Sequence, residues 1–182
     1  ECLIETSLRG VDLHGIRLLP HYIRVIQSGR INKNPNINFT STSHTTGILD
    51  ADHTFGHPAA SLAMKEAIQM AEKSGSGFVV VKNSTHFSAS AYYALQASSN
   101  DMMGFSCTNT SSMMVPTRGK RPYFGTNAIT FSFPCEDEKP ICLDMATTQI
   151  AWNWVLKARE EGRKLNLPYG IQKNGETTND PN

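Results

Sequence analysis

His86 stands in the stretch KNSTHFSASAYY, between small hydroxyl residues and a tyrosine pair, directly after the apolar string GFVVV. Imidazole titrates near neutrality, so a histidine at the open end of a strand can take the proton from an alcohol or return it. A turn histidine hydrogen-bonded to Ser84 or Ser88 fits the same residues, and locally the two readings stand level. His14 lies in LHGIR, where Gly15 relieves the backbone and Arg17 is close enough for one small carboxylate to meet both side chains. A surface loop with a solvated guanidinium is the simpler local account of that pair. Of the six histidines, His21, His44 and His53 read as solvated, and His57, just before a helix, as a capping or packing residue. No pair has the spacing of a helical zinc motif, and no metal is expected. Cys107 follows His86 in the chain but falls within an apolar stretch that reads as a buried strand, where a thiol is inert packing.

The elements that must carry these residues follow from periodicity. LLPHYIRVIQS, residues 18–28, spaces Leu19, Tyr22, Ile23 and Ile26 as a helix, with Pro20 in its first turn and Gly29 as its stop. VDLHGIR is then its entry loop. The Asn- and Thr-rich run that follows reads as extended and turn structure with one short strand near GILDAD. HPAASLAMKEAIQMAEKSG repeats apolar residues at Ala60, Ala63, Met64, Ala67, Ile68 and Ala71, which predicts a helix ended by Gly75 or Gly77. GFVVVKN reads as a strand covered on both faces, ASAYYALQASS as a helix capped by Ser84, Thr85 or Ser88, and MMGFSCTN as a further strand. AITFSFP and PICLDMA form a predicted antiparallel hairpin through CEDEK. TTQIAWNWVLKAREEG is the last helix, with Thr147 and Thr148 in its first turn and Lys157 and Arg159 in its last. The sum is an α/β fold, a layered mixed sheet with helices, in which His86 and Asn109 lie beyond strand ends.

Several function classes are disfavoured. Seventeen basic and 16 acidic residues are scattered to a net charge of +1, with no basic block to follow a phosphate backbone, so nucleic acid is not an expected partner. No apolar run approaches a bilayer span and no signal-peptide pattern opens the sequence, so the expectation is a cytoplasmic protein with no membrane partner. Cys2, Cys107, Cys135 and Cys142 show no C-x-x-C spacing and read as unpaired. GSG at residues 75–77 follows a helix and precedes a strand, the reverse of a dinucleotide fingerprint, and neither a Walker A nor a G-x-S-x-G stretch occurs. The chain opens in mid-pattern and stops in a polar run, which reads as part of a longer protein.

RGVDLHGIRLLPHY, GHPAASLAMKEAI, NSTHF, GTNAITFSFP, LDMATTQIAW and GETTNDP occur in an order and spacing that resemble the malate/L-lactate dehydrogenase family, which includes ureidoglycolate, sulfolactate and diketogulonate oxidoreductases. The resemblance covers nearly the whole chain. It implies a non-Rossmann NAD(P)-binding fold, with residues 1–50 as a substrate-side helical and extended segment and 51–182 as part of the NAD(P)-binding domain. It further implies hydride transfer between NAD or NADP and a small 2-hydroxy or 2-oxo acid, with His86 exchanging a proton with the substrate hydroxyl. His14, Arg17 and Tyr22 match the substrate side, Arg17 holding the carboxylate; Asn109, Thr110, Gly125, Thr126, Asn127, Asp144, Met145 and Ala146 match segments that line the cofactor. A homodimer is implied in the same way. Relative to the family, an N-terminal helical segment and a long C-terminal portion are missing.

The chain departs from the family pattern at several positions. Leu13 replaces a usual Ser, Ser88 and Arg118 stand where Gly is common, Ala128 where Pro follows GTN, and Asn153-Trp154 replace a frequent Gly-Lys pair, while MATTQIAW is closest to the ureidoglycolate branch. Leu13 and the missing ends leave a second reading, a catalytically silent homologue or fragment acting as a structural or assembly subunit. A cysteine or serine hydrolase using His86 ranks last.

Overall fold

A helix precedes the one that Pro20 and Gly29 bracket. The computed structural model, which describes residues 1–182, places α1 at Cys2–Leu8, then two short 3-10 turns at Asp12–His14 and Ile16–Leu18, then α2 at Leu19–Gln27. Gly29 has φ +74, the left-handed conformation that stops a helix at low cost. α1 is absent from the sequence reading because its seven residues bury only Cys2 and Thr6, too few for a periodic signal.

The Asn- and Thr-rich run folds into two strands rather than one. β1 (Asn38–Ser41) pairs antiparallel with β2 (Thr46–Asp50), Phe39 opposite Leu49. α3 (Gly56–Ser74) follows, stopped at Gly75 with φ +81, and returns the chain to β3 (Phe78–Lys82), which lies parallel to β2 with Val80 opposite Ile48. A parallel pair needs such a crossover, and the sheet order is β1-β2-β3. This first sheet is therefore mixed. Leu49, Ala51, Ala59 and Ala63 form its core, with Phe39, Leu62, Val79 and Val81 packed around them.

β3 corrects one expectation. Phe78 and Val80 are 58% and 57% exposed, so only the face carrying Val79 and Val81 is covered, by α3. A continuous apolar run cannot by itself distinguish a strand covered twice from one with an open face.

α4 (Ala91–Ser98) and β4 (Gly104–Cys107) come next, then β5 (Ile129–Phe133) and β6 (Ile141–Met145), which complete a second sheet of order β4-β5-β6. Cys107 is the last residue of β4 and is exposed, which overturns its reading as buried packing. None of the three expected residues caps α4; its N-cap is Ser90, without a side-chain capping bond. α5 spans Trp152–Glu160, starting five residues later than the TTQ motif suggested, and its last turn carries Lys157 and Arg159 as expected. Thr147 and Thr148 lie ahead of it. The polar end of the sequence holds one further antiparallel pair, β7 (Gly170–Ile171) with β8 (Thr177–Thr178).

By internal contact the chain forms two compact units, Glu1–Ser106 with Thr130–Leu143, and Cys107–Ile129 with Asp144–Asn182. Residue 50 falls at the end of β2, within the first unit. All four cysteines are free, and no helix is long and apolar enough to cross a membrane.

Candidate active site

In the first unit, the 3-10 turns, the start of α2, the entry to α3 and the loop after β3 converge on His86. Tyr22, 5% exposed, sets its hydroxyl 2.6 Å from His86 Nδ1. The phenol ring is held edge-on by His57, with centroids 4.6 Å apart, and by Phe55 at 5.7 Å. His14 stacks with His86 at 6.2 Å, and His21 meets it edge-on at 6.3 Å.

Two further contacts fix the loop that carries His86. The Gly56 N–H, at the start of α3, donates to Thr85 Oγ1 at 3.2 Å, so the hydroxyl expected to cap α4 serves α3 instead. Gly56 itself leaves no room for a side chain, since a Cβ there would lie 2.3 Å from the Thr85 carbonyl oxygen and 2.8 Å from that of His86. Ser88 has φ +71 and donates its hydroxyl proton to the His14 carbonyl. A left-handed backbone explains why glycine suits this position. Arg118, the other residue standing where Gly is common, has φ +64 for the same physical reason.

Electrostatically the cluster favours uncharged rings. Burial, then the neighbouring His14, His21 and His57, push His86 down to about 4. His86 nevertheless keeps an exposed face, where water moderates that desolvation, and the ring is neutral at pH 7. Burial also pushes His57 down to about 4, and its Nε2 is buried without a hydrogen-bond partner. The Tyr22 hydroxyl moves the other way, raised chiefly by burial, and stays protonated.

In the second unit, three segments far apart in sequence are laced together by uncharged groups. The Thr110 N–H donates to Asn127 Oδ1 at 3.1 Å, and the Thr126 N–H to Thr110 Oγ1 at 2.9 Å. The Thr147 N–H and hydroxyl both reach the Thr126 carbonyl, at 2.9 and 3.1 Å. Gly125 is buried, and a Cβ there would strike Thr110 Oγ1 at 2.3 Å. Asn109, Asp144 and Met145 are exposed beside this lacing and Ala146 is half-buried.

The sequence-derived residues thus fall into two groups, His14, Arg17, Tyr22 and His86 in the first unit and the GTN, NT and DMA segments in the second. Arg17 lies exposed on the second 3-10 turn, one segment with His14. His21 was read as merely solvated; it is exposed but its ring borders His86. The packing role expected of His57 holds, against Tyr22. Phe55 and Thr85 were not singled out as site residues, and no local pattern marks them, because their partners lie on other elements. No group of three or more His, Cys, Asp or Glu is arranged to hold a metal ion. A groove of about 550 Å³ lined by Phe39, His44, Glu66 and Lys73 among others shares no residue with the histidine cluster, whose standing rests on its chemistry.

The sequence matches the malate/L-lactate dehydrogenase family over residues 1–182. The chain belongs to that family. Among malate/L-lactate dehydrogenase relatives, the malate/(S)-sulfolactate dehydrogenase of Methanothermus fervidus is 34% identical over 100% of this chain and 53% of its own length. The ureidoglycolate dehydrogenase (NAD(+)) of Escherichia coli is 33% identical over 100% of this chain and 52% of its own. The crystal structure of malate dehydrogenase from Entamoeba histolytica superposes with a TM-score of 0.93 at 36% identity, covering 99% of this chain and 50% of that one. The chain spans about half the length of the curated relatives it matches.

Proposed function

We propose that the protein is an oxidoreductase that transfers a hydride between NAD or NADP and a small 2-hydroxy or 2-oxo acid, with His86 as its acid/base. The observation that carries this is a histidine neutral at pH 7, with one face open, its other ring nitrogen engaged by a buried tyrosine and two further histidines bordering it. Such a ring can accept the hydroxyl proton of a 2-hydroxy acid once the lone pair of its substrate-facing nitrogen is free, as the carbon loses hydride, and return it in the reverse direction. Arg17 and His14, on one short segment with Tyr22 close behind, are suited to a carboxylate, for which a guanidinium offers a paired donor fork. The relatives, dehydrogenases of malate, sulfolactate and ureidoglycolate, support a small carboxylate substrate.

The neutral donors and acceptors around Asn109, Thr110, Gly125, Thr126, Asn127, Met145 and Ala146, with the Asp144 carboxyl group beside them, fit the carboxamide and ribose hydroxyls of a nicotinamide nucleotide better than a free phosphate, which calls for positive charge or a helix start. When bound, the nicotinamide supplies or accepts the hydride. The same reading includes a cytoplasmic location and a homodimer, for which the exposed apolar residues Ile4, Leu8, Ile16, Leu19 and Ile23 of the N-terminal helices offer surface.

The first test is a fluorescence titration of the intact protein with NADH and NADPH. Saturable binding that tightens when a 2-oxo acid is added is expected. No binding by the folded, intact protein would shift the assignment to a silent structural homologue. His86→Asn is expected to lower turnover by a factor of about 100 to 10,000 with nucleotide binding retained, and unchanged turnover would remove His86 from the role.

A further inference from the structure

We propose that Tyr22 is a positioning residue for His86: its buried hydroxyl donates to Nδ1 and thereby keeps the neutral ring's own proton on Nε2, the nitrogen left for substrate. The assignment of the tautomer rests on geometry; its consequence for substrate rests on the oxidoreductase reading above.

A neutral imidazole has one donor and one acceptor nitrogen, so the partners of one nitrogen decide the state of the other. Two groups approach His86 Nδ1: the Tyr22 hydroxyl at 2.6 Å and the Ser88 backbone N–H at 3.4 Å. A tyrosine hydroxyl can serve either way, but a backbone N–H only donates. At 3.4 Å that N–H biases Nδ1 only weakly toward accepting; the phenol at 2.6 Å, donating in the same sense, adds the short bond that holds Nδ1 as the acceptor. Leaving the proton of a buried hydroxyl without an acceptor would be costly. Burial raises the phenol's pKa, which keeps that proton in place. The phenol is also mechanically fixed, with His57 and Phe55 set edge-on against its ring, so the oxygen does not depend on a mobile side chain.

The consequence concerns direction. With its proton on Nε2, the resting ring can donate a hydrogen bond to the keto oxygen of a 2-oxo acid. To receive the proton of a 2-hydroxy acid, the ring must first release its Nε2 proton to solvent and take one up from solvent at Nδ1, with the Tyr22 hydroxyl turning to accept from Nδ1. The resting site is therefore matched to the oxidised substrate, and Tyr22 is the source of that preference.

The test is long-range proton–nitrogen NMR of the intact protein labelled with ¹⁵N-histidine, near pH 8, with the His86 signals assigned by their loss in His86→Asn. The expected result is Nε2–H for His86 in the natural protein and a mixture of both tautomers in Tyr22→Phe, with the His57 signals reporting a retained fold. Binding of a 2-oxo acid is expected to weaken by about fivefold to tenfold in Tyr22→Phe, and binding of the matching 2-hydroxy acid by less. An Nδ1–H tautomer in the natural protein overturns the proposal without need of any variant, as does an unchanged tautomer in a folded Tyr22→Phe. If the tautomers behave as expected but neither NADH nor NADPH is bound or oxidised, the positioning role stands and the oxidoreductase reading fails.

Discussion

Ser88 carries two opposed effects on one side chain. Its left-handed backbone, φ +71, costs a non-glycine residue about 1 to 2 kcal/mol, while its hydroxyl bond to the His14 carbonyl returns about 1 kcal/mol. Ser88→Ala keeps the strain and loses the bond, so urea denaturation should show it about 1 kcal/mol less stable. Ser88→Gly loses the bond but relieves the strain, and its stability should stay within about 1 kcal/mol of the natural protein. Equal stability of the alanine variant would show that the hydroxyl contributes nothing. At this scale the sequence was informative wherever chemistry is local: His86 after a strand and Gly15 beside His14 could be picked out from neighbours alone. The Tyr22–His86 bond could not, because its partners are 64 residues apart and nothing in either neighbourhood names the other.

Among the elements, α3 reaches the site through its first turn. It was legible because nineteen residues of helical spacing with a left-handed glycine behind them leave little ambiguity, and β3 was legible as a strand though not in what covers it. What the pattern could not disclose is that the first turn of α3 leans on the His86 loop, through Gly56 and Thr85. A Cβ on Gly56 would meet two backbone carbonyls of that loop, neither of which can rotate away. Gly56→Ala is therefore expected to cost about 1 to 3 kcal/mol and to lower turnover more than the stability loss alone explains, because the loop has to shift. Full turnover at a lowered melting temperature would show that the loop accommodates the methyl without moving the imidazole. α1, at Cys2–Leu8, spans only two helical turns with two buried residues, and β7 and β8, at Gly170–Ile171 and Thr177–Thr178, are too short to show any alternation, so none of the three stands out in the sequence.

For the molecule as a whole, the buried histidines set a response to acid. In the folded chain His57 and His86 are held at about 4, below the ordinary 6.5, and both are uncharged above that. As pH falls from about 6.5 to about 4, the unfolded chain takes up protons that the folded chain refuses, so stability falls across that window and levels off below it. Asp50, lowered to about 2 mainly by Asn83 and the Asp52 backbone, adds a further loss below its ordinary 3.8. Thermal melts from pH 8 to pH 4 should show a falling midpoint beginning near 6.5, and the fall should be shallower in His57→Leu. A midpoint constant over that range would mean that both rings titrate normally in the folded chain. The α/β class was readable from alternating elements, whereas the division into two sheets was not, since strand order is decided by contacts between distant segments.

The contacts that close the histidine cluster also bear on when it can form. His14 meets Ser88 across 74 positions and Tyr22 meets His86 across 64, with the β1-β2 hairpin and the whole of α3 in between. Loops of that size carry a closure cost that local elements do not. On a ribosome, α1, α2 and the hairpin can form as they emerge, but the bonds that tie His14 and Tyr22 into the histidine cluster cannot close until Ser88 has been made. The histidine cluster thus closes only after Ser88 has been made, and among its members His14 and Tyr22 wait longest for their partners.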